Sequence, residues 1–435
     1  MGEAGSTGNR FEFKPYNVGR WAIWGGYALL LLLAPLIWTS SLSLTMLSQM
    51  GIAIIACLAF NMLLGQGGML SFGHAVYSGL GSFFAMHALN FVTAGTLLLP
   101  VSLIPLVGGA FGLLFAVLLG FVTTKKAGTP FAMITLGVGE LVAAMALMFP
   151  FFFGGEGGIS GNRVTGRFLG VSFGPQIQLY YLIALYTIVC TALMYAFTRT
   201  PLGRMLNAVR DNPERVEFVG YNTQYVRWLA FIASGFFMGI SGGLAALNFE
   251  IVTAEVVGAL RSGSYLLFTF LGGAVFFFGP IIGGVLLVLA LVLLSELTQA
   301  WLLYLGLVFT FMVMYAPGGI SSLIMMNLRV ASFGKLRPLL ASYLALAGSA
   351  LTVLLGSGAM VEMVYHMQLN EALGPKMKFL GAMLDTRRFD TWFGAVFVML
   401  VGIAMFEFTR RHFVLLWNTT QEEIEAEVRK RDAAL

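Results

Sequence analysis

Apolar runs of about twenty residues recur along almost the whole chain of 435 residues, and they restrict its fold more than any other feature. A bilayer core of about 30 Å is crossed by roughly 20 apolar residues in an α-helix. Only 10% of the residues are charged, whereas about a quarter are charged in an average soluble domain. The sequence therefore predicts an all-α, polytopic integral membrane protein.

The apolar runs predict about ten core spans and two extra spans near the C-terminus. We place them at 21–38, 44–64, 71–92, 98–123, 129–150, 178–198, 225–247, 263–278, 280–296, 301–316, 338–356 and 391–408. The region 263–296 could instead form one long span with a kink at Gly279 and Pro280, because proline interrupts a helix.

These spans divide the chain into a polar N-terminal tail (1–20), a core (21–328), an extension with two spans (329–408) and a polar tail (409–435). In the last segment, Thr420 and Glu423 have the spacing of a helix capping box.

Basic residues are enriched in cytoplasmic loops, and the spans place Lys125, Lys126 and the basic loop 199–227 on one side. We therefore expect both termini in the cytoplasm. The net charge of +5 has the same topological explanation, and no nucleic-acid partner is expected.

No catalytic residue or metal ligand can be assigned from the sequence. Cys57 and Cys190 lie inside apolar runs, which favours small buried residues over a disulfide or a thiolate site. The four histidines show no metal-ligand spacing, and neither a G-x-S-x-G elbow nor a phosphate-binding G-x-x-x-x-G-K-[ST] pattern is present. A membrane-embedded enzyme is therefore disfavoured.

Glycines are concentrated at two kinds of position. Gly235, Gly239 and Gly243 follow the i, i+4, i+8 spacing by which small residues let membrane helices approach closely. The stretch 65–81 holds six glycines, and 271–280 is a second interruption. Gly65, Gly67 and Gly68 follow no helical face, so they predict a break between two membrane segments; Gly73 is assigned to close packing. Such breaks either flank a transport pathway or permit tight contact.

Five polar residues near the first break or inside a span are candidates for lining a pathway. They are Gln66, Ser71, His74, Ser78 and Glu140. An ionisable group at membrane depth usually faces a cavity or a partner, so Glu140 could line a route for an amino group. Each of the five could equally form a structural hydrogen bond between helices.

The loop at 199–231 predicts a short amphipathic helix that lies on the membrane surface or docks into a partner. Together with four other motifs, it resembles the LivM-type permeases of branched-chain amino acid ABC importers over roughly residues 40 to 325. The motifs are GQGGMLSFGHAVYSGLGSF (65–83), TLGVGEL (135–141), PLGRMLNAVRDNPERVEFVGYNT (201–223), SGFFMGISGGLAAL (234–247) and YAPGGI (315–320).

The resemblance implies that loop 201–223 is the coupling helix that sits in a cleft of an ATP-binding subunit. Its residues at the matching positions are Arg204, Ala208, Arg210, Asp211, Asn212, Pro213 and Glu214. The loop 154–177 would face a periplasmic solute-binding protein through Glu156, Arg163 and Arg167, although it could also be a flexible turn.

The resemblance also implies a bacterial inner-membrane importer with several partners. These are a second, LivH-type permease in a heterodimer, two ATP-binding subunits that hold ATP and Mg, the binding protein, and membrane lipid. Substrate would move from periplasm to cytoplasm by alternating access. Related systems transport urea, amides or aromatic acids, so the substrate stays open. Residues 330–435 depart from the family pattern, and their tail could be a solvated helix or an added subunit contact.

An ion-coupled secondary carrier is the main alternative from another class, since it too would be polytopic and interrupted by glycines. Such carriers normally place ionisable groups near the membrane midplane, and Glu140 is the one fair candidate here. The carrier also gives no reason for the loop at 199–223.

Overall fold

The fold is a bundle of membrane-spanning α-helices, as the sequence predicted. The computed structural model describes residues 18–164, 173–369 and 374–433. Within these ranges, eight helices are long and apolar enough to cross a membrane, or up to nine crossings if a bent pair, Trp301–Tyr315 with Gly319–Ser332, counts as one span. The total of twelve crossings stays a prediction.

The helices of the first part are α1 (Val18–Ile37), α2 (Ser41–Gly67), α3 (Ala75–Thr93), α4 (Ile104–Thr123), α5 (Thr129–Met148), α6 (Pro150–Phe153) and α7 (Gln176–Arg199). They are followed by α8 (Pro201–Asp211), α9 (Pro213–Phe218), α10 (Thr223–Phe249), α11 (Ala259–Gly272), α12 (Gly279–Val288), α13 (Ser295–Leu297), α14 (Trp301–Tyr315), α15 (Gly319–Ser332), α16 (Leu336–Leu369) and α17 (Phe389–Ala433). Antiparallel pairs join β1 (Ile159–Ser160) to β2 (Ile251–Val252) and β3 (Lys376–Phe379) to β4 (Ala382–Asp385).

Helix α10 lies at the centre of the bundle, where it packs against α2, α3 and α4. Its glycines Gly235, Gly239 and Gly243 face α4. A Cβ atom added at Gly243 would lie 2.7 Å from Pro105 Cα, and one at Gly239 would lie 3.0 Å from Gly109 Cα. The two backbones are thus in direct contact, which is how membrane helices associate without a hydrophobic driving force.

The first glycine-rich stretch breaks the chain between α2 and α3. Gly68 ends α2 in the left-handed conformation with φ 62°, which glycine adopts at no steric cost. The next helix begins at Ala75, whose N–H donates to Ser262 Oγ of α11 at 2.9 Å. Helix α3 therefore starts inside the bundle, and residues 69–74 before it are buried or half-buried in protein, as irregular backbone in a membrane must be.

The second break separates α11 from α12, and it lies against the first. A Cβ atom at Gly272 would lie 2.9 Å from Gly283 Cα, so the two helices pack as an antiparallel hairpin. The region 263–296 is therefore not a single kinked span. The Ala274 carbonyl oxygen of this break occupies the space next to Gly65 where a Cβ would stand. A contact between residues more than 200 positions apart in the sequence thus brings the two breaks together.

The C-terminal extension is a long antiparallel pair of helices, α16 and α17, joined through the β3–β4 hairpin. The hairpin was not predicted; it packs through Met377 on Ala359, Met363 and Ala395. Helix α17 runs without interruption into the predicted polar tail. The predicted capping box is therefore wrong, because no helix begins at Thr420, whose hydroxyl instead donates to the Leu416 carbonyl.

The extension is attached to the core near both ends of α16. At one end, the half-buried Glu362 carboxylate accepts hydrogen bonds from Thr298 Oγ1 and, at 3.2 Å, from the Tyr304 hydroxyl. At the other end, the Tyr343 hydroxyl of α16 donates to Asn327 Oδ1 of α15 at 2.6 Å, close to the apolar cluster of Val330, Leu339 and Ile424. The core and the extension are thus joined by polar contacts as well as by apolar packing.

Replacement of Glu362 by alanine should loosen this attachment. The change leaves two hydroxyl donors without their acceptor, which costs about 1–3 kcal/mol when the donors are out of water. We expect a lower unfolding temperature of the purified protein in detergent. Glu296→Ala is the matched control, because Glu296 is an exposed carboxylate close to Thr298 in sequence. Equal melting of the two variants would contradict the proposed tie.

Candidate functional site

Helices α8 and α9 form the most distinctive surface of the described chain, and local sequence explains why they fold there. Thr200 caps α8 by accepting a hydrogen bond from the Gly203 N–H at 3.2 Å, and Pro201 occupies the first helical position. Asn212 caps α9 in the same way through the Arg215 N–H at 3.0 Å, with Pro213 following it. Side-chain caps and N-terminal prolines of this kind start helices.

The sequence predicted one short amphipathic helix here, and the structure has two, because Asn212 and Pro213 end α8 and start α9. Leu206, Val209 and Val216 are buried against the bundle. The predicted coupling residues all lie on the exposed side, and they are Arg204, Ala208, Arg210, Asp211, Asn212, Pro213 and Glu214. The structure therefore brings these seven residues onto one accessible surface, which we call the α8–α9 surface.

Two shallow concavities flank Ala208 on this surface. One, with about 680 Å³ of empty volume, is lined by Arg199, Pro201, Arg204 and Met205 as well as Ala208. The other, of about 710 Å³, reaches from Ala208 to Val219. Beside them, Phe218 is 90% exposed. A small residue between two depressions, with charged groups and an exposed aromatic at the margin, is a surface suited to a protein partner.

The α8–α9 surface is directly connected to the first break. The Arg210 Nη1 donates a hydrogen bond to the Gly65 carbonyl, and its aliphatic stem lies against Gly68. Leu206 of the same helix contacts Gly67. Because Gly65 in turn lies against the Ala274 carbonyl, a displacement of α8 would shift the backbone at both breaks.

The interior around the first break holds several polar side chains among aromatic rings, with His74 packed against Phe60 and Phe231. His74 Nε2 and Ser234 Oγ are hydrogen-bonded at 2.8 Å, and Ser234 Oγ donates to the Ala59 carbonyl at 2.5 Å. Among the described residues, Gln66 Oε1, Ser71 Oγ and His74 Nδ1 are buried without a hydrogen-bond partner. Buried polar atoms normally form hydrogen bonds. These three atoms near the first break therefore keep an unused capacity for a hydrogen bond.

The pathway candidates are not all brought together. Ser71, His74 and Ser78 are buried inside the packing of the bundle. Glu140 instead lies on the exposed side of α5, halfway along that helix. A carboxylate at this depth faces lipid only at a cost, so exposure of Glu140 distinguishes this side of α5 from an ordinary lipid-facing surface.

The candidates for contact with a binding protein also differ from one another. Glu156 is exposed. Arg163 is buried, and its guanidinium donates to the carbonyls of Phe173 and Leu247 at 3.0 and 3.1 Å and to Gln176 Oε1 at 3.1 Å. This arginine therefore ties the end of α10 to the start of α7. Arg167 lies outside the described residues.

Sequence reasoning missed Arg261, which lies in the first turn of α11 and lines a cleft with Gln49 and Tyr265. The predicted span began at residue 263, so Arg261 was assigned to a loop. A usable signal was present, because Arg261 is the single lysine or arginine between Arg227 and Arg329.

Comparison with known proteins gives a consistent picture of similarity. The profile of the family described as "Branched-chain amino acid transport system / permease component" matches residues 42–317. The high-affinity branched-chain amino acid transport system permease protein LivM of Salmonella typhimurium is 28% identical over 308 residues, which cover 65% of this chain and 70% of the relative. The LivM protein of Escherichia coli is 28% identical over 296 residues, or 62% of this chain and 67% of the relative. No solved structure matches significantly.

Proposed function

The chain belongs to the family of permease components of branched-chain amino acid transport systems, and from this premise we propose that it is the membrane subunit of an ATP-driven importer. It moves a branched-chain or related amino acid from periplasm to cytoplasm by alternating access. Separate ATP-binding subunits supply the energy and hold ATP and Mg, and a periplasmic binding protein delivers the substrate. The membrane is the bacterial inner membrane, with both termini in the cytoplasm.

The observation that carries this proposal is the contact between the α8–α9 surface and the two breaks. ATP-driven alternating access needs a soluble partner to bias two states of the membrane domain. Arg210 joins the exposed surface to the Gly65 carbonyl, and Gly65 lies against the second break. An ATP-binding subunit docked on α8 would therefore act directly on the two places where the helices are interrupted.

The position of Glu140 supports a second membrane subunit. Its carboxylate lies on the exposed side of α5 in the middle of a predicted span. Charged groups at this depth face protein or a water-filled cavity. In the proposed heterodimer, a LivH-type permease covers this side of α5 or forms a pathway with it.

Purification from the native membrane tests the proposed assembly. We expect a tagged chain, extracted in mild detergent, to bring down a second permease and two ATP-binding proteins that mass spectrometry identifies. Uptake of leucine in the reconstituted complex should stop when ATP is removed and persist when the proton gradient is collapsed. Recovery of this chain alone, with uptake that follows the proton gradient, would favour the ion-coupled carrier instead.

A further inference from the structure

A cleft on the bundle is lined by a cationic side chain, Arg261, that has no role in the proposed coupling mechanism. It lies between α2, α11 and α12, and its empty space of about 380 Å³ includes the opening to solvent. Its polar lining residues are Gln49, Arg261 and Tyr265. The remaining lining is apolar and consists of Ile52, Ala53, Phe249, Leu287, Val288 and Leu291.

The cleft lies within the bundle, close to the end of α10, whose last residue, Phe249, is part of its lining. Gln49 stands about 12 Å along α2 from its first residue, Ser41. The neighbour of Arg261, Ser262, is fully buried and accepts the Ala75 N–H, which begins α3 inside the bundle. Arg261 is thus placed at the depth where two helices start, and not in a surface loop.

The Arg261 guanidinium has no charge partner in the described part of the chain. It lies over the Tyr265 ring, 5.6 Å from the ring centroid, and it forms no ion pair with a carboxylate there. A cation inside a membrane protein is costly unless it is paired, and such residues mark ion and substrate pathways. The missing partner is an anion.

We propose that this cleft binds the transported amino acid, with the Arg261 guanidinium paired to the substrate carboxylate. The aliphatic residues of α2 and α12 then contact the substrate side chain, and the Gln49 amide oxygen accepts from its ammonium group. This inference rests on the proposed function and adds a substrate site to it. Arginine suits the role because its planar donors bind a carboxylate in a bidentate geometry.

The first test separates transport from ATP hydrolysis in the complete complex. In proteoliposomes with leucine-loaded binding protein, Arg261→Gln should lower leucine uptake by at least about tenfold, the loss expected for a charge-assisted contact. Stimulated ATPase activity should stay near that of the parent complex, since the α8–α9 surface is untouched. Arg261→Lys should retain part of the uptake. The matched control is Arg329→Gln, which removes the same charge from an exposed position on α15.

The second test reads occupancy of the cleft without transport. The Gln49→Cys complex is labelled with a cationic methanethiosulfonate reagent. Leucine should slow the labelling when Arg261 is present. Leucinamide, which lacks the carboxylate, should slow it much less. In the complex that carries both Gln49→Cys and Arg261→Gln, leucine and leucinamide should slow the labelling to the same extent. Unchanged uptake in Arg261→Gln, or equal protection by leucine and leucinamide, would overturn the substrate site. Absence of ATP-dependent uptake in the parent complex would instead overturn the proposed function, while protection of the Gln49→Cys thiol by leucine would still support the cleft.

Discussion

Replacement of Arg210 by glutamate is expected to reduce the ATPase activity of the complex, measured with loaded binding protein, to its unstimulated rate. In the parent chain, Arg210 donates to the Gly65 carbonyl and forms an ion pair with Asp211 at 2.9 Å. A carboxylate accepts hydrogen bonds but does not donate them, so the glutamate side chain would repel the carbonyl oxygen to which Arg210 donates. The contact between α8 and the first break would be lost.

Two controls distinguish loss of coupling from loss of the fold. Lys126→Glu reverses an exposed charge in another loop on the predicted cytoplasmic side, and it should leave stimulation unchanged. Arg210→Lys keeps a donor within reach of Gly65 and should retain part of it. The Arg210→Glu permease should still co-purify with its partners, because Leu206 and Val209 continue to hold α8 on the bundle. Full stimulation in the Arg210→Glu complex would contradict the role of this contact.

The sequence was most informative where short-range patterns determine the structure. Caps at Thr200 and Asn212, together with the spacing of Leu206 and Val209, specify the amphipathic α8 and α9 locally. The glycines of α10 likewise follow one helical face. In both cases the determining residues lie within a few turns of one another, and local propensity agrees with the final packing.

Other features depended on contacts between distant residues, and the sequence did not reveal them. The meeting of Gly65 with Ala274 joins segments that no local pattern connects. In the β3–β4 hairpin, Lys376–Phe379 alternates polar and apolar residues but Ala382–Asp385 does not, so only one of the two strands carries the pattern of a half-buried strand. At Thr420 a capping pattern was overridden, because packing of Ile424 against Val330 and Leu339 continues α17 past it.

A leucine in place of Gly239 should prevent the bundle from assembling. A Cβ atom at this position would meet the Gly108 carbonyl of α4. On the α3 side, a Cβ atom at Gly81 would lie 2.7 Å from Gly239 Cα, so α3 leaves no room either. Backbone on both sides cannot yield as a flexible side chain can, and the cost should exceed the usual 1–3 kcal/mol of overpacking, reaching about 3 kcal/mol or more.

Gly306→Leu is the matched control for this change, because a Cβ atom at Gly306 on α14 meets no atom within 4 Å. We expect the Gly306 variant to elute from a size-exclusion column in detergent as the parent does, and the Gly239 variant to aggregate or to fail to accumulate in the membrane. A monodisperse Gly239→Leu protein would mean that α10 can move away from α3 and α4. In that case the glycine face of α10 would slide along α4 when the protein changes between two states. Uptake by this variant would then show whether transport requires close contact between α10 and α4.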